Sequence, residues 1–145
     1  MKILCEATPK RLTPTCKGQI LRLDKALFET DAPVECESAW WWIVRHKGKP
    51  IAFAGLRGCK AQVNKGLCFM IRSGVLPPYR GKGLQKELIQ ARVTLARRHH
   101  FQEVVTYVLN WNLASANSLI ACGFRLYHPA EQYAGKSAYY FRKAL

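Results

Sequence analysis

Apolar residues change their spacing several times along the chain, and each change marks an element. "KILCEAT" is a short apolar run that reads as a first strand. In "TCKGQILRLDKALFE", Ile20, Leu21, Leu23 and Leu27 fall at mixed helical spacing and predict a helix. "APVECES" follows as a loop or a short helix carrying two acids, Glu35 and Glu37. "AWWWIVRHKGKPIAFAGLRG" reads as a hairpin, two β-rich runs flanking the turn residues His46-Lys47-Gly48-Lys49-Pro50. Side chains alternate across a strand, so Trp40, Trp41 and Trp42 put at least one ring on each face.

"GLCFMIRSGVL" is another strand, closed by Pro77-Pro78. Beyond it, Leu84, Leu88, Ala91 and Leu95 recur at helical spacing on one face, and Arg97 and Arg98 suit a helix C-terminus. "EVVTYVLNW" is a strand, "LASANSLIACG" a short helix with Gly123 placed as its C-terminal glycine, and "FRLYHP" and "SAYYFRKAL" are closing strands. No internal repeat, low-complexity tract or linker interrupts the series. Strands and helices in this order give a mixed α/β fold, a central β-sheet flanked by helices, over a single domain spanning residues 1–145.

The stretch "YRGKGLQ" places Gly81 and Gly83, with Arg80 and Lys82, between a strand and a helix. A P-loop would need G-x-x-x-x-G-K-[ST], and no such string surrounds the glycines. A dinucleotide fingerprint would need a third glycine where Lys86 stands. A kinase glycine loop would require a downstream catalytic-loop motif that the chain lacks. What remains is an anion site made of backbone N–H groups at a helix start, or a tight turn with its cations in solvent. In an open α/β sheet the carboxyl end of a strand is where ligands bind.

Composition narrows the partners only a little. The net charge of +14 is spread along the chain and attracts polyanions: nucleic acid, an acidic protein surface or a phosphorylated cofactor. The six cysteines form no C-x-x-C pair, which argues against a zinc site, so no metal is expected. No apolar run approaches the ~20 residues of a membrane span. The chain is expected to be reduced and cytoplasmic, a monomer or a homodimer, without a membrane partner.

Two segments taken together carry a resemblance. "VLPPYRGKGLQKELI" fits V-x-P-x-[YF]-R-G-x-G, and "NWNLASANSLIACGF" fits N-x-x-S-x-x-x-L-x-x-x-G-F from Asn112 to Phe124. In this order they resemble the GNAT-type N-acetyltransferase superfamily, in particular its small bacterial or phage-like members. The resemblance implies acetyl-CoA as cosubstrate, with Arg80, Gly81, Lys82, Gly83, Leu84, Gln85 and Lys86 around its pyrophosphate. It implies that Ser73, Gly74 and Val75 form the strand edge along the pantetheine arm, where a backbone N–H at or near Val75 polarises the thioester carbonyl. Asn112 matches the family's pantetheine-contacting Asn; its alternative reading is a loop cap.

The chain departs from the family pattern in three places. Gln85 stands where the family has glycine or alanine, Leu119 where many members have a tyrosine general acid, and Tyr107 on the strand where some have a glutamate base. Ser115 fits relatives that use a serine, as candidate general acid or as a helix cap. Glu35 and Glu37 lie where members build the acceptor site, and are candidate bases or solvated loop carboxylates. Acetyl transfer asks little of the protein: a neutral amine, a donor for the oxyanion, and a proton for a thiolate whose pKa is about 8.5. The resemblance therefore implies transfer to a primary amine by direct attack. The acceptor is a small molecule, a protein or an aminoacyl-tRNA. Two alternatives stand beside it: a basic nucleic-acid-binding protein, and an acetyl-CoA-binding relative without catalysis.

Overall fold

The computed structural model describes residues 3–59 and 66–145, so Lys2, where the first expected strand begins, lies outside the described residues. The order is β1 (Ile3–Ala7), α1 (Pro14–Leu27), β2 (Trp40–His46), β3 (Lys49–Gly58), β4 (Leu67–Val75), a 3-10 turn (Pro77–Tyr79), α2 (Leu84–Arg98), β5 (Glu103–Leu109), α3 (Leu113–Ala121), β6 (Arg125–Tyr127) and β7 (Ala138–Ala144). The strands join in one mixed sheet in the order β1-β2-β3-β4-β5-β7-β6, the α/β architecture that the alternating pattern predicts. Two compact units make up the chain: Met1–Arg57 with Ile71–Leu84, and Gly58–Met70 with Gln85–Leu145.

In the first unit, α1 begins one residue before the expected segment. Thr13 caps it by accepting from Cys16 N at 3.2 Å, and Pro14 occupies a first-turn position where no N–H is needed. Its buried row is Cys16, Ile20, Leu23 and Asp24. Ile20 and Leu23 join Trp41, Ile43 and Phe53 in a core where the Trp41 and Phe53 rings stack at 5.9 Å. Trp41 Nε1 donates to the Cys36 carbonyl at 2.9 Å, which fixes the segment before β2 as a loop rather than a short helix. Trp42 is buried on the other face of the strand, and Trp40 is half-buried.

The β2–β3 turn is tighter than the five residues expected. His46 pairs with Lys49 inside the ladder, leaving Lys47 (φ 50°) and Gly48 (φ 79°) as the turn. Positive φ at both central residues is the two-residue hairpin geometry whose twist matches the flanking strands. Asp24, only 3% exposed, accepts from Arg72 Nη1 and from Val34 N, both at 3.0 Å. Helix α1, the loop after it and β4 are thereby tied through one carboxylate.

In the second unit, β5 pairs in parallel with the start of β4 (Leu67–Phe69 with Glu103–Val105) and antiparallel with all of β7. The buried face of α2 is Leu84, Leu88, Ile89, Arg92, Val93 and Ala96, with Ala91 and Leu95 only half-buried, so the stripe is rotated from the expected one. Arg92 sits within it and donates Nε to the Leu88 carbonyl at 3.1 Å. Burial pushes its pKa down to about 9. Helix α3 ends as the sequence predicts. Gly123 adopts φ +89°, its N–H bonds to Ile120 O, and Phe124 N bonds to Leu119 O, both at 3.0 Å. These are the paired bonds of a Schellman motif, and Phe124 and Leu119 are both buried beside it.

Candidate active site

The glycine loop belongs to the first unit up to Leu84. Leu76 N donates to Ile51 O at 2.9 Å, so the end of β4 is anchored on β3. Pro77 and Pro78 then drive a 3-10 turn, closed by Tyr79 N to Leu76 O (2.9 Å) and Arg80 N to Pro77 O (3.2 Å). Arg80 turns back and donates Nε to the Val75 carbonyl at 2.9 Å. Its guanidinium thus holds the strand end in place, a positioning part that the sequence motif does not spell out.

Gly81 and Gly83 have φ of +79° and +81°, and among the described residues no atom beyond the adjacent ones in the chain lies within 4 Å of a Cβ built on either. Both glycines are needed for backbone conformation, and the surface above them is open to a ligand. α2 begins at the next residue, Leu84. Lys82 and Lys86 are exposed, and Lys82 Nζ lies 5.9 Å from the centre of the Tyr79 ring. His46 faces the same tyrosine ring at 5.4 Å, a contact without a signal in the sequence. Gln85 is half-buried at the second residue of the helix.

Ser73, Gly74 and Val75 form the last residues of β4. Gly74 has a packing reason of its own: a Cβ there would stand 2.7 Å from Leu27 Cδ1. Glu35 and Glu37 lie together on the loop before β2, both exposed. Arg57 Nη2 holds that loop by donating to the Glu35 carbonyl (2.6 Å) and the Glu37 carbonyl (3.2 Å). The Glu37 carboxylate is paired with Lys17, whose hydrogen bond keeps its pKa below the usual carboxylate range. Nothing in the sequence marks Arg57 or Lys17 for these parts.

In the second unit, Asn112 is the N-cap of α3; its side-chain oxygen accepts from Ser115 N at 3.2 Å. The cap therefore falls to Asn112, and Ser115 is the third residue of the helix, half-buried, its hydroxyl making no hydrogen bond among the described residues. Leu119, where many relatives have tyrosine, is 3% exposed and belongs to the core. Tyr107 is 44% exposed and touches Tyr133 and Tyr140. Burial raises the Cys16, Cys36, Cys68 and Cys122 thiols, Cys36 to about 11 and Cys68 to about 12. Such thiols are poor nucleophiles. Among the described residues no cluster of His, Cys, Asp and Glu is arranged to hold a metal ion, and no helix is long and apolar enough to cross a membrane.

A mixed sheet thus leads into a loop with two left-handed glycines ahead of a helix, an arrangement that suits an anionic ligand. The sequence profile of the acetyltransferase (GNAT) family matches residues 12–124, and the chain belongs to that family. Solved structures agree on the fold. An acetyltransferase of the GNAT family from Streptococcus pneumoniae superposes with a TM-score of 0.74 at 14% identity, over 99% of this chain and all (100%) of its own. A ribosomal-protein-alanine N-acetyltransferase from Brucella melitensis gives 0.73 at 15% identity, over 100% of both chains. The PaiA N-acetyltransferase from Thermoplasma acidophilum, solved with coenzyme A, gives 0.62 at 16% identity, over 72% of this chain and 60% of its own. No curated protein matches the sequence significantly.

Proposed function

We propose that residues 1–145 form one acetyl-CoA-dependent N-acetyltransferase domain that acylates a primary amine by direct attack. The observation that carries this is the loop itself: two left-handed glycines with open space above them, directly ahead of α2, in a chain of the acetyltransferase family. The loop suits a pyrophosphate. Its amides from Gly81 to Lys86 donate, Lys82 and Lys86 add positive charge, and no side chain at 81 or 83 blocks approach. Gln85 is accommodated because its backbone N–H remains part of the helix start. Ser73 to Val75 would line the pantetheine arm, and Asn112 would contact it while capping α3.

When bound, the cosubstrate supplies an acetyl thioester. The amine nitrogen forms the new C–N bond as the C–S bond breaks, the nitrogen loses a proton and the sulfur gains one. A backbone N–H at or near Val75 stabilises the oxyanion. Ser115, whose hydroxyl is uncommitted within the described residues, hydrogen-bonds to the departing sulfur or relays to it a proton that it takes from solvent. Glu35 or Glu37 accepts the proton from the amine; no ion pair holds Glu35 among the described residues, whereas Lys17 holds Glu37, which favours Glu35 as the base.

The test is release of free coenzyme A thiol from acetyl-CoA in the presence of amine classes: small amines, peptides with free N-termini or lysines, and aminoacyl-tRNA. Release with at least one class, above the rate without amine, is expected. Saturable acetyl-CoA binding without release from any class would overturn catalysis and leave a coenzyme-binding relative.

A further inference from the structure

The second unit carries a sheet face on which aromatic rings and guanidinium groups alternate. The register fixes which residues share it. Arg142 lies opposite both Val105 and Arg125, and Tyr140 lies opposite both Tyr107 and Tyr127. Residues directly opposite one another project to the same side, and so do residues two apart along a strand. Tyr107, Tyr140 and Tyr127 therefore form one row across β5, β7 and β6, and Arg142 and Arg125 sit in the next. Tyr133, from the segment between β6 and β7, stands over the first row with ring centres 5.9 Å from Tyr107 and 5.1 Å from Tyr140. The segment is pinned there because Tyr140 OH donates to Gly135 O at 2.8 Å and accepts from Ala134 N at 2.9 Å.

The helices of this unit stand on the opposite side. Lys143, next to Arg142 and so pointing the other way, lies against Gly123 and shares a cavity with Gln90, Thr94 and Arg97 of α2. On the Tyr107 side, Tyr107 and Tyr133 remain 44% and 45% exposed as residues, although the Tyr133 ring also packs edge-on with Phe69 at 5.9 Å. The guanidinium of Arg142 rests 5.0 Å from the Tyr127 ring centre, and no acid pairs with Arg125 or Arg142 among the described residues. Like charges directly opposite on neighbouring strands destabilise a sheet unless an anion lies between them. Both arginines also line a cavity of about 420 Å³ that they share with Glu103 and, from the helix side, with Gly123 and Lys143.

We propose that this face binds single-stranded nucleic acid, with bases stacked on Tyr107 and Tyr133 and backbone phosphates held by Arg125 and Arg142. Stacking is tolerant of sequence because every base has a π-face, and rings interleaved with cations are how single strands are held without base readout. An acidic protein surface would satisfy the arginines but would leave the accessible rings without a use. A duplex hides the flat faces of its bases. The proposal does not depend on acetyl transfer, since none of these residues belongs to the glycine loop.

The experiment is fluorescence anisotropy with a labelled RNA of about ten nucleotides, single-stranded or annealed to its complement, over a series of salt concentrations. The single strand should bind about ten-fold or more tightly than the duplex. Tyr133→Leu should weaken it by about ten-fold, whereas Tyr133→Phe, which keeps the flat ring, should stay within about two-fold of the unmodified chain. Arg125→Gln with Arg142→Gln should lower the log–log salt slope by about 1.4, at roughly 0.7 per phosphate contact. The equal-charge pair Lys10→Gln and Arg11→Gln, on exposed positions of the first unit, should leave it nearly unchanged. Equal binding of duplex and single strand, equal loss in both double variants, competition by polyglutamate as strong as by RNA, or no binding at all would each overturn the proposal.

Discussion

Asp24 is a buried carboxylate in the middle of an otherwise apolar helix row, and two donors keep it there. Asp24→Ala would leave Arg72 without its anion and Val34 N without its acceptor. Removal of one partner of a buried pair costs ~3–5 kcal/mol. An unfolding free energy lowered by that amount, read from the denaturant midpoint at unchanged m-value, is expected, and Asp24→Asn, which still accepts a hydrogen bond, should lose less. Ser115 tests the chemistry instead. Ser115→Ala should slow turnover with little change in acetyl-CoA affinity and little change in melting temperature, because Asn112 and not Ser115 caps α3. A fall in melting temperature with turnover intact would make the serine structural. Glu37 carries a pH signature. Its pKa is lowered by Lys17, so its contribution to stability is complete above the ordinary glutamate pKa and is lost as pH falls through the lowered one. Melting curves taken downward from about pH 6 should show a weaker acid limb in Glu37→Gln than in the parent. Identical limbs would remove the ion pair from the account.

At the scale of elements, the readable parts were those with a local physical cause. Gly123 with Phe124 closes α3 because a left-handed glycine and a buried C-terminal apolar residue are both written in consecutive letters. The β2–β3 hairpin was visible from its β-rich runs. Its turn was placed too broadly because His46 and Lys49 are ordinary polar residues that happen to pair in the ladder. On α2 the expected stripe omits Arg92, since an arginine buried in a core, here donating Nε to Leu88 O, looks polar in sequence. Of the candidate site, the glycine conformations at 81 and 83 are legible in the sequence, and what long-range partners decide is not: Lys17 on Glu37, Arg57 on the loop carbonyls, Arg80 on Val75. Gly55 belongs to the illegible kind. An added Cβ would stand 2.5 Å from Ile71 Cγ1 and 2.7 Å from the Trp41 ring, neither of which can move far in this core. Gly55→Ala should therefore destabilise by about 1–3 kcal/mol, read as a denaturant midpoint shift with an unchanged m-value. A variant as stable as the parent would mean that β3 and β4 give way more readily than the core suggests.

For the whole molecule, the proposed function has a basic α/β chain of the acetyltransferase family present its glycine loop to the pyrophosphate of acetyl-CoA. A net charge of +14 makes the distinction from general anion binding the decisive one. Bulk charge would attract any polyphosphate and would fade with salt. A shaped loop would prefer one ligand, and a single change at its centre would remove it. The most direct measurement is calorimetric titration of acetyl-CoA at near-physiological salt, with ATP as a polyanion control, on the parent chain and on Gly83→Glu. Saturable one-to-one binding of acetyl-CoA, with ATP much weaker and with binding lost in a Gly83→Glu variant that still melts near the parent, is the predicted result. Equal, salt-erased binding of both ligands, or unchanged affinity in Gly83→Glu, would contradict the site and with it the account of the loop.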